Sequence, residues 1–153
     1  LGFEKVVQCN RSKSSKGVVR GLHFQKDPKC QAKIVEVIKG SAIDVVVDMR
    51  EDSETYGKWT SVLLTPDNNK QLFVPRGFAH GFVSLEDDTI FQYLIDNDYA
   101  PEMEGGILWN DPEIGINWDE IFTEYGIDKP LLSEKDINRE PLSKCKTKFR
   151  RNK

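Results

Sequence analysis

The chain has 153 residues, of which 38% are hydrophobic and 31% charged, and its formal net charge is -3. This length suits one domain around a single core, and the slightly acidic balance argues against a nucleic-acid partner. No apolar run approaches the roughly 20 residues that cross a bilayer, and no basic start followed by an apolar stretch indicates a signal peptide. Three scattered cysteines (Cys9, Cys30, Cys145) lack metal-ligand spacing and favour a reducing compartment. We therefore expect a cytoplasmic globular protein without a membrane partner.

Short β-branched runs separated by turn residues extend from Val6 to Ile95, and Val6-Val7 already has the character of the middle of a strand. Residues 34–38, a turn at 39–41 and residues 43–49 predict a β-hairpin in which Gly40 adopts a positive φ. Many short strands at such spacing predict an all-β barrel or sandwich rather than a βαβ sheet. The further predicted strands cover residues 18–25, 59–64, 71–74, 82–83 and 89–95.

Helical periodicity is clearest at residues 118–125, where apolar side chains recur at i, i+3, i+4 and i+7 before Gly126. This pattern predicts one short helix packed on the barrel. The last ten residues, 144–153, contain six basic residues and a single large apolar one, Phe149. We expect a solvated basic tail there, following a single domain over residues 1–143.

The only two histidines, His23 and His80, both lie in glycine-flanked, aromatic segments. One histidine in such a setting is more often a packed core residue than a functional one, but two on neighbouring strands can converge in one cavity. The chain has no third histidine and no His-x-His pair. Two histidines and a carboxylate can still hold iron, so a metal site stays open as an alternative, although the sequence favours none.

Strand alternation places Lys33 on the same face as Val35 and Val37, and Tyr93 on the same face as Phe91. An apolar face predicts that both polar side chains point inward. The alternatives are a strand-end lysine that reaches solvent and a tyrosine that is simply packed.

Arg20 lies three residues before His23, so a regular strand would put the two side chains on opposite faces. A bulge at Gly21 would bring both to one site. The sequence leaves this point open.

Together these segments resemble the dTDP-4-dehydrorhamnose 3,5-epimerase family of cupin-like nucleotide-sugar epimerases. The two most specific motifs are Arg-Gly-Leu-His at 20–23 and Pro-Arg-Gly-Phe-Ala-His-Gly-Phe at 75–82. The resemblance implies a cupin-like jelly-roll barrel with a few short, mainly C-terminal helices, and a homodimer. The matching stretches keep the family's order from about Gln8 to Asp136 and cover residues 12–25, 31–35, 43–48, 73–82, 99–101, 107–112 and 132–136.

Residue by residue, the resemblance implies that His23 is the catalytic base and Asp136 the carboxylate paired with it. Lys33 matches the lysine that stabilises the enolate, and Tyr93 the tyrosine acid on the other face of the sugar. The remaining matches line the substrate and nucleotide site: Gln8, Asn10, Arg20, His80, Tyr99, Glu104 and Lys135.

The reaction implied by the family inverts C3 and C5 of dTDP-4-dehydro-6-deoxy-D-glucose, giving dTDP-4-dehydro-L-rhamnose. The C4 ketone acidifies the protons on both neighbouring carbons, so inversion needs a base and an acid on opposite faces of the ring. A cation such as Lys33 near the ketone oxygen stabilises the enolate, and no cofactor is then required. Arg20 and Lys135 suit the diphosphate, and Tyr99 suits stacking on the thymine.

Other functions remain open at this stage. A mono-epimerase acting on C3 or C5 only, a 3,4-ketoisomerase of the same barrel type, a non-catalytic sugar-binding cupin and a metal-dependent cupin dioxygenase are the alternatives. The family's opening strands, with an arginine, an aromatic residue and a glutamate that reach into the partner subunit's site, have no counterpart in these residues. Since the chain opens at Leu1 rather than methionine, we expect that these N-terminal strands are missing from it.

Overall fold

The computed structural model describes residues 2–151. Its nine strands are β1 (Gln8–Ser14), β2 (Val19–Gln25), β3 (Lys33–Lys39), β4 (Ala42–Asp48), β5 (Trp59–Leu64), β6 (Leu72–Val74), β7 (Phe78–Ser84), β8 (Thr89–Ile95) and β9 (Glu104–Gly106). The predicted strands at 59–64 and 89–95 have the predicted bounds. The strands form a four-stranded sheet in the order β1-β8-β3-β6 and a five-stranded sheet in the order β5-β4-β7-β2-β9, with antiparallel neighbours throughout.

The predicted hairpin between β3 and β4 is wrong, although its turn is correct. Gly40 has a φ of +79°, but β3 pairs with β6 and β8 while β4 pairs with β5 and β7. The turn therefore passes from one sheet to the other. The reason is that each strand has an apolar face, and these faces are buried by packing the two sheets against each other.

The core between the sheets takes alternate residues from both. Val35 and Val37 of β3 meet Val46 of β4, and the rings of Phe82 and Phe91 stack with their centroids 4.3 Å apart. Because side chains alternate along a strand, Lys33 and Tyr93 share this inner face, as predicted.

The outer face of the five-stranded sheet is covered by the C-terminal half of the chain. Every residue of β4 is buried, since Val45 and Val47 pack outward into a second cluster. That cluster includes buried residues of helix α1 (Trp118–Glu124), the helix predicted from periodicity. Helix α2 (Glu134–Ile137) and two 3-10 turns, Pro101–Met103 and Leu142–Lys144, are the other helical segments among residues 2–151.

The prediction of a solvated basic tail is wrong for the described residues after 144. The Phe149 side chain is 3% exposed and meets the Phe24 ring edge-on, with 5.5 Å between centroids. The Thr147 hydroxyl donates to the Met49 carbonyl, and Arg150 pairs with Glu51. One buried ring therefore anchors a segment whose basic residues still reach solvent.

The first strand also begins later than predicted. Val6 and Val7 are exposed, and β1 starts at Gln8. The Val7 amide still donates to the Ile95 carbonyl at 2.8 Å, but β8 ends at Ile95 and offers no further partner. Among residues 2–151, no helix is long and apolar enough to cross a membrane.

Candidate active site

Two adjoining cavities open beside the inner face of β2. The smaller, about 110 Å³, is lined by residues of both sheets, including His23, Lys33 and Tyr93. The larger, about 540 Å³, lies between β2 and residues 129–137 and is lined by Arg20, His23, Lys135 and Asp136, among others. His23 borders both cavities, and its side chain is 30% exposed.

His23 forms a close pair with Asp136. Its Nε2 lies 2.5 Å from Oδ1 of Asp136, which also accepts the Gly21 amide through Oδ2 at 3.2 Å. Ser133 caps α2 by accepting the Asp136 amide, and this cap turns the carboxylate toward β2. Burial pushes the pKa of Asp136 upward, but the His23 hydrogen bond and charge outweigh it and hold that pKa below its usual range.

A bulge at Gly21 brings Arg20 to the same cavity as His23. The register of β2 against β7 shifts between Arg20 and His23, and both side chains line the larger cavity. Gly21 has a φ of +128°, and a Cβ there would lie 2.7 Å from Gly81 Cα. Only glycine fits this close approach, and the bulge decides a point that the sequence left open.

Tyr93 and Lys33 stand on the opposite wall, since β8 and β3 belong to the four-stranded sheet. The Lys33 Nζ lies 5.8 Å from the centroid of the Tyr93 ring. Burial raises the pKa of Tyr93, although the nearby Arg20 charge opposes the shift. Burial lowers the pKa of Lys33, and the carboxylate of Asp44 opposes that effect.

His80 is the cross-strand neighbour of His23 on β7, but the prediction that both histidines point into one cavity is wrong. The His80 side chain is 8% exposed, engages Asp44 and lines neither of the two cavities. Its Nε2 lies 2.8 Å from Oδ1 and 3.0 Å from Oδ2 of that carboxylate.

Sequence reasoning missed Asp44. A signal existed: a carboxylate interrupts an otherwise apolar strand, and a buried charge needs a partner.

The other residues implied by the resemblance lie at the rim. Asn10 lines the smaller cavity and accepts a hydrogen bond from Gln8. Tyr99, 60% exposed, also lines it. Glu104 and Lys135 form an ion pair with each other. Burial raises the pKa of Glu104, but the bond to Lys135 and nearby positive charges hold it below its usual range.

Two glutamines that sequence reasoning did not single out hold the loop carrying Tyr99. Gln25 donates to the Asp98 carbonyl and accepts the Ala100 amide. Gln31 donates to the carbonyls of residues 97 and 98. Both line the smaller cavity, and their place in the stretches 12–25 and 31–35 that match the family is the signal that could have found them.

Comparison with known proteins gives a consistent result. A family model described as dTDP-4-dehydrorhamnose 3,5-epimerase matches residues 1–144. The enzyme of that name from Methanothermobacter thermautotrophicus is 48% identical over 138 residues, 90% of this chain and 72% of the relative. The Legionella pneumophila epimerase, solved with dTDP-4-keto-L-rhamnose, has a TM-score of 0.85 at 39% identity and covers 93% of this chain and 72% of its own. A 3'-monoepimerase from Streptomyces bikiniensis, solved with dTDP-quinovose, has a TM-score of 0.81 at 36% identity, with coverages of 90% and 67%.

The two-sheet barrel is that of a cupin-like epimerase, the class of the solved structures that it resembles. Within that class, the chain belongs to the dTDP-4-dehydrorhamnose 3,5-epimerase family. It is an isomerase of that type, which confirms the resemblance seen in its motifs.

Proposed function

We propose that the protein inverts C3 and C5 of dTDP-4-dehydro-6-deoxy-D-glucose to give dTDP-4-dehydro-L-rhamnose, a step of dTDP-L-rhamnose biosynthesis. One observation carries the proposal. His23, paired with Asp136 of α2, stands on one sheet and Tyr93 on the facing sheet, and both His23 and Tyr93 line the smaller cavity. Inversion at a carbon beside a ketone needs this arrangement, because the proton leaves from one face and returns to the other.

His23 serves as the base in this proposal. If its Nε2 carries the hydrogen donated to Asp136, Nδ1 is the unprotonated nitrogen that removes the substrate proton. Asp136 then stabilises the imidazolium that forms, in the way that a carboxylate supports histidine in hydrolytic triads. The capped helix α2 holds Oδ1 of Asp136 2.5 Å from Nε2 of His23.

Tyr93 serves as the acid and Lys33 as the stabilising cation. Burial raises the pKa of Tyr93, so the phenol keeps its proton at neutral pH and can give it to the enolate. A cation beside the developing oxyanion supplies electrostatic stabilisation that acid–base catalysis alone does not. Lys33 lines the same cavity, with its Nζ 5.8 Å from the centroid of the Tyr93 ring.

The nucleotide would occupy the larger cavity and the rim. Arg20 and Lys135 offer positive charge to the diphosphate, with the Lys135–Glu104 pair separating as the phosphate arrives. The exposed Tyr99 ring offers a stacking surface for thymine. The Legionella complex with dTDP-4-keto-L-rhamnose supports a ligand of this kind.

Proton NMR with dTDP-4-keto-6-deoxyglucose in deuterated water tests the function. We expect deuterium at both C3 and C5 and a product with both centres inverted. Exchange and inversion at only one carbon would support the mono-epimerase alternative. No exchange at either carbon would contradict the proposal.

Two variants separate the roles of base and acid. His23→Ala should abolish both exchange and inversion, because no enolate forms without proton removal. Tyr93→Phe should still incorporate deuterium but invert little, since His23 can return a proton only to the face from which it took one. Tyr125→Phe, at the C-terminal end of α1, is the matched control and should behave as wild type. Normal inversion by Tyr93→Phe would remove Tyr93 from the mechanism.

The homodimer expected from the family stays a prediction. Sedimentation velocity of this chain should show a dimer at micromolar concentration. A monomer that is fully active would contradict it.

A further inference from the structure

The arginine that follows helix α2 carries hydrogen-bond donors that nothing accepts. Arg139 lies two residues beyond the end of α2, and its side chain is 16% exposed. Within the part of the chain that the structure describes, its buried Nε and Nη2 atoms have no hydrogen-bond partner. Buried donors without an acceptor are rare in proteins, because each has lost its hydrogen bonds to water. These donors therefore need an explanation.

An acceptor for Arg139 lies close by, but another cation occupies it. The Arg139 Nη2 lies 3.6 Å from Oε2 of Glu104, which is beyond the usual limit of about 3.2 Å for an N–H···O hydrogen bond. The same oxygen accepts a hydrogen bond from the Lys135 ammonium group. Two cations thus converge on one carboxylate oxygen, and only Lys135 is hydrogen-bonded to it.

The two cations differ in their access to a ligand. The Lys135 side chain is 58% exposed and lines the larger cavity, whereas Arg139 lines neither active-site cavity. The guanidinium group packs against β9, the strand that carries Glu104, and a Cβ at Gly106 would lie 2.9 Å from its Nε. Packing therefore holds Arg139 beside Glu104, while Lys135 can turn toward the cavity.

We propose that Arg139 is a positioning residue, which takes over the Glu104 carboxylate when the diphosphate of the substrate draws Lys135 away. The proposal rests on the function proposed above, in which Lys135 meets that diphosphate. In the free protein Lys135 is bonded to Oε2 of Glu104. In the complex Arg139 donates to the same oxygen instead.

The reason lies in the cost of an unpaired charge. The Glu104 side chain is 18% exposed, so water compensates it poorly once Lys135 has left. Leaving a largely buried carboxylate without a partner is unfavourable, and this cost would lower the affinity for the nucleotide. Arg139 removes the cost, because it supplies a charge-assisted hydrogen bond in place of the one that Lys135 gives up.

Calorimetric titration with dTDP tests this exchange without turnover. Arg139→Met should weaken dTDP binding about tenfold, because the release of Lys135 then leaves Glu104 unpaired. Arg139→Lys keeps the charge and should recover part of the loss. Arg150→Met is the matched control, since Arg150 also pairs with a glutamate, Glu51, but lines neither active-site cavity. Its dTDP affinity should equal that of wild type.

A double-mutant cycle separates this role from a merely structural one. In Lys135→Met no ammonium group has to leave Glu104, so adding Arg139→Met should lower dTDP affinity by less than about twofold. In the epimerase assay, Arg139→Met alone should raise KM more than it lowers kcat, because Arg139 contacts no reacting atom. Equal losses of dTDP affinity with and without Lys135 would contradict the proposal.

A crystal structure of Lys135→Met, grown without nucleotide, tests the exchange with no ligand at all. Arg139 should now donate to Glu104, with Nη2 about 2.8 Å from Oε2. A guanidinium group whose Nε and Nη2 stay unbonded in that variant overturns the proposal. This structure also decides the matter if Arg139→Met does not fold.

The outcomes keep this proposal distinct from the proposed function. If wild type binds dTDP but does not epimerise its sugar, the function fails and the titrations still decide the role of Arg139. If wild type epimerises and Arg139→Met binds dTDP as tightly as wild type does, only the role of Arg139 fails. A wild-type protein that does not bind dTDP overturns both.

Discussion

The barrel contains two His–Asp pairs side by side, and they differ chiefly in their access to solvent. His23 and His80 are register partners on adjacent strands, and each imidazole lies within hydrogen-bond distance of a carboxylate. The His23 side chain is 30% exposed, whereas that of His80 is 8% exposed. Asp136 comes from a helix outside the sheet, and Asp44 from within it.

The difference in access separates two uses of the same chemical pair. A ring that borders a cavity can exchange a proton with a ligand, so the His23 pair suits acid–base chemistry. A ring enclosed with its carboxylate among apolar side chains can only hold charge and orientation for its neighbours. The resemblance separated His23, as the base, from His80, as a residue lining the substrate site, but it did not show that His80 is enclosed away from both cavities.

The largest effect should come from breaking the exposed pair. Asp136→Asn keeps the size of the side chain but no longer stabilises the His23 imidazolium, and kcat should fall about 10³-fold or more, as in other His–carboxylate pairs. Asp44→Asn, which changes the enclosed pair, should cost less activity in the same deuterium-exchange assay. An equal or smaller loss in Asp136→Asn would mean that the buried pair is the more important one.

An intermediate effect, on stability, should come from Gly21, which lies next to both His–Asp pairs. The Gly21 amide donates to Asp136, and a Cβ at this position would lie 2.9 Å from the His80 carbonyl oxygen. Gly21→Ala should destabilise the fold by about 3 kcal/mol, through collision and through strain at positive φ. Urea unfolding measures the change.

The matched control for that variant is Gly115→Ala. Gly115 also has a positive φ, of +70°, but its nearest neighbour would lie 3.7 Å from a Cβ. Backbone strain alone should then cost about 1 kcal/mol. Equal destabilisation by the two variants would show that the close approach of β2 to β7 at Gly21 contributes nothing.

The smallest effect should appear in the acid dependence of stability. Hydrogen bonding to His23 holds the pKa of Asp136 below its ordinary value despite burial. Ionised Asp136 therefore stabilises the fold above the unfolded-state pKa of about 3.9, and this contribution is lost as pH falls toward the folded-state pKa. The free energy of unfolding should fall less steeply with acid in Asp136→Asn than in wild type.

Asp44 should behave in the opposite way. Burial raises its pKa, although His80 and Lys33 oppose the shift, so the folded state binds a proton at this position more readily than the unfolded state does. Carboxyl carbon NMR should show Asp44 titrating at higher pH than Asp136. The reverse order would contradict the comparison between the two pairs.

Local patterns in the sequence determined much of the fold and of the candidate site. Period-two alternation placed Lys33 and Tyr93 on inner faces, and helical periodicity located α1, because burial of one face governs both elements. The glycine-containing motifs located both histidines, and Gly21 carried the signal for the bulge. These features depend on a few neighbouring residues, which a sequence displays directly.

Only the tertiary structure decided which elements meet. The turn at Gly40 looks the same whether its strands pair or separate into two sheets, and the choice depends on the apolar faces of β6, β7 and β8, which are distant in sequence. The burial of Phe149 depends on a contact with Phe24, 125 residues earlier by their numbers. The partner of Asp44 also depends on the tertiary structure. His80, on another strand, lies beside the buried carboxylate and compensates the cost of burying it.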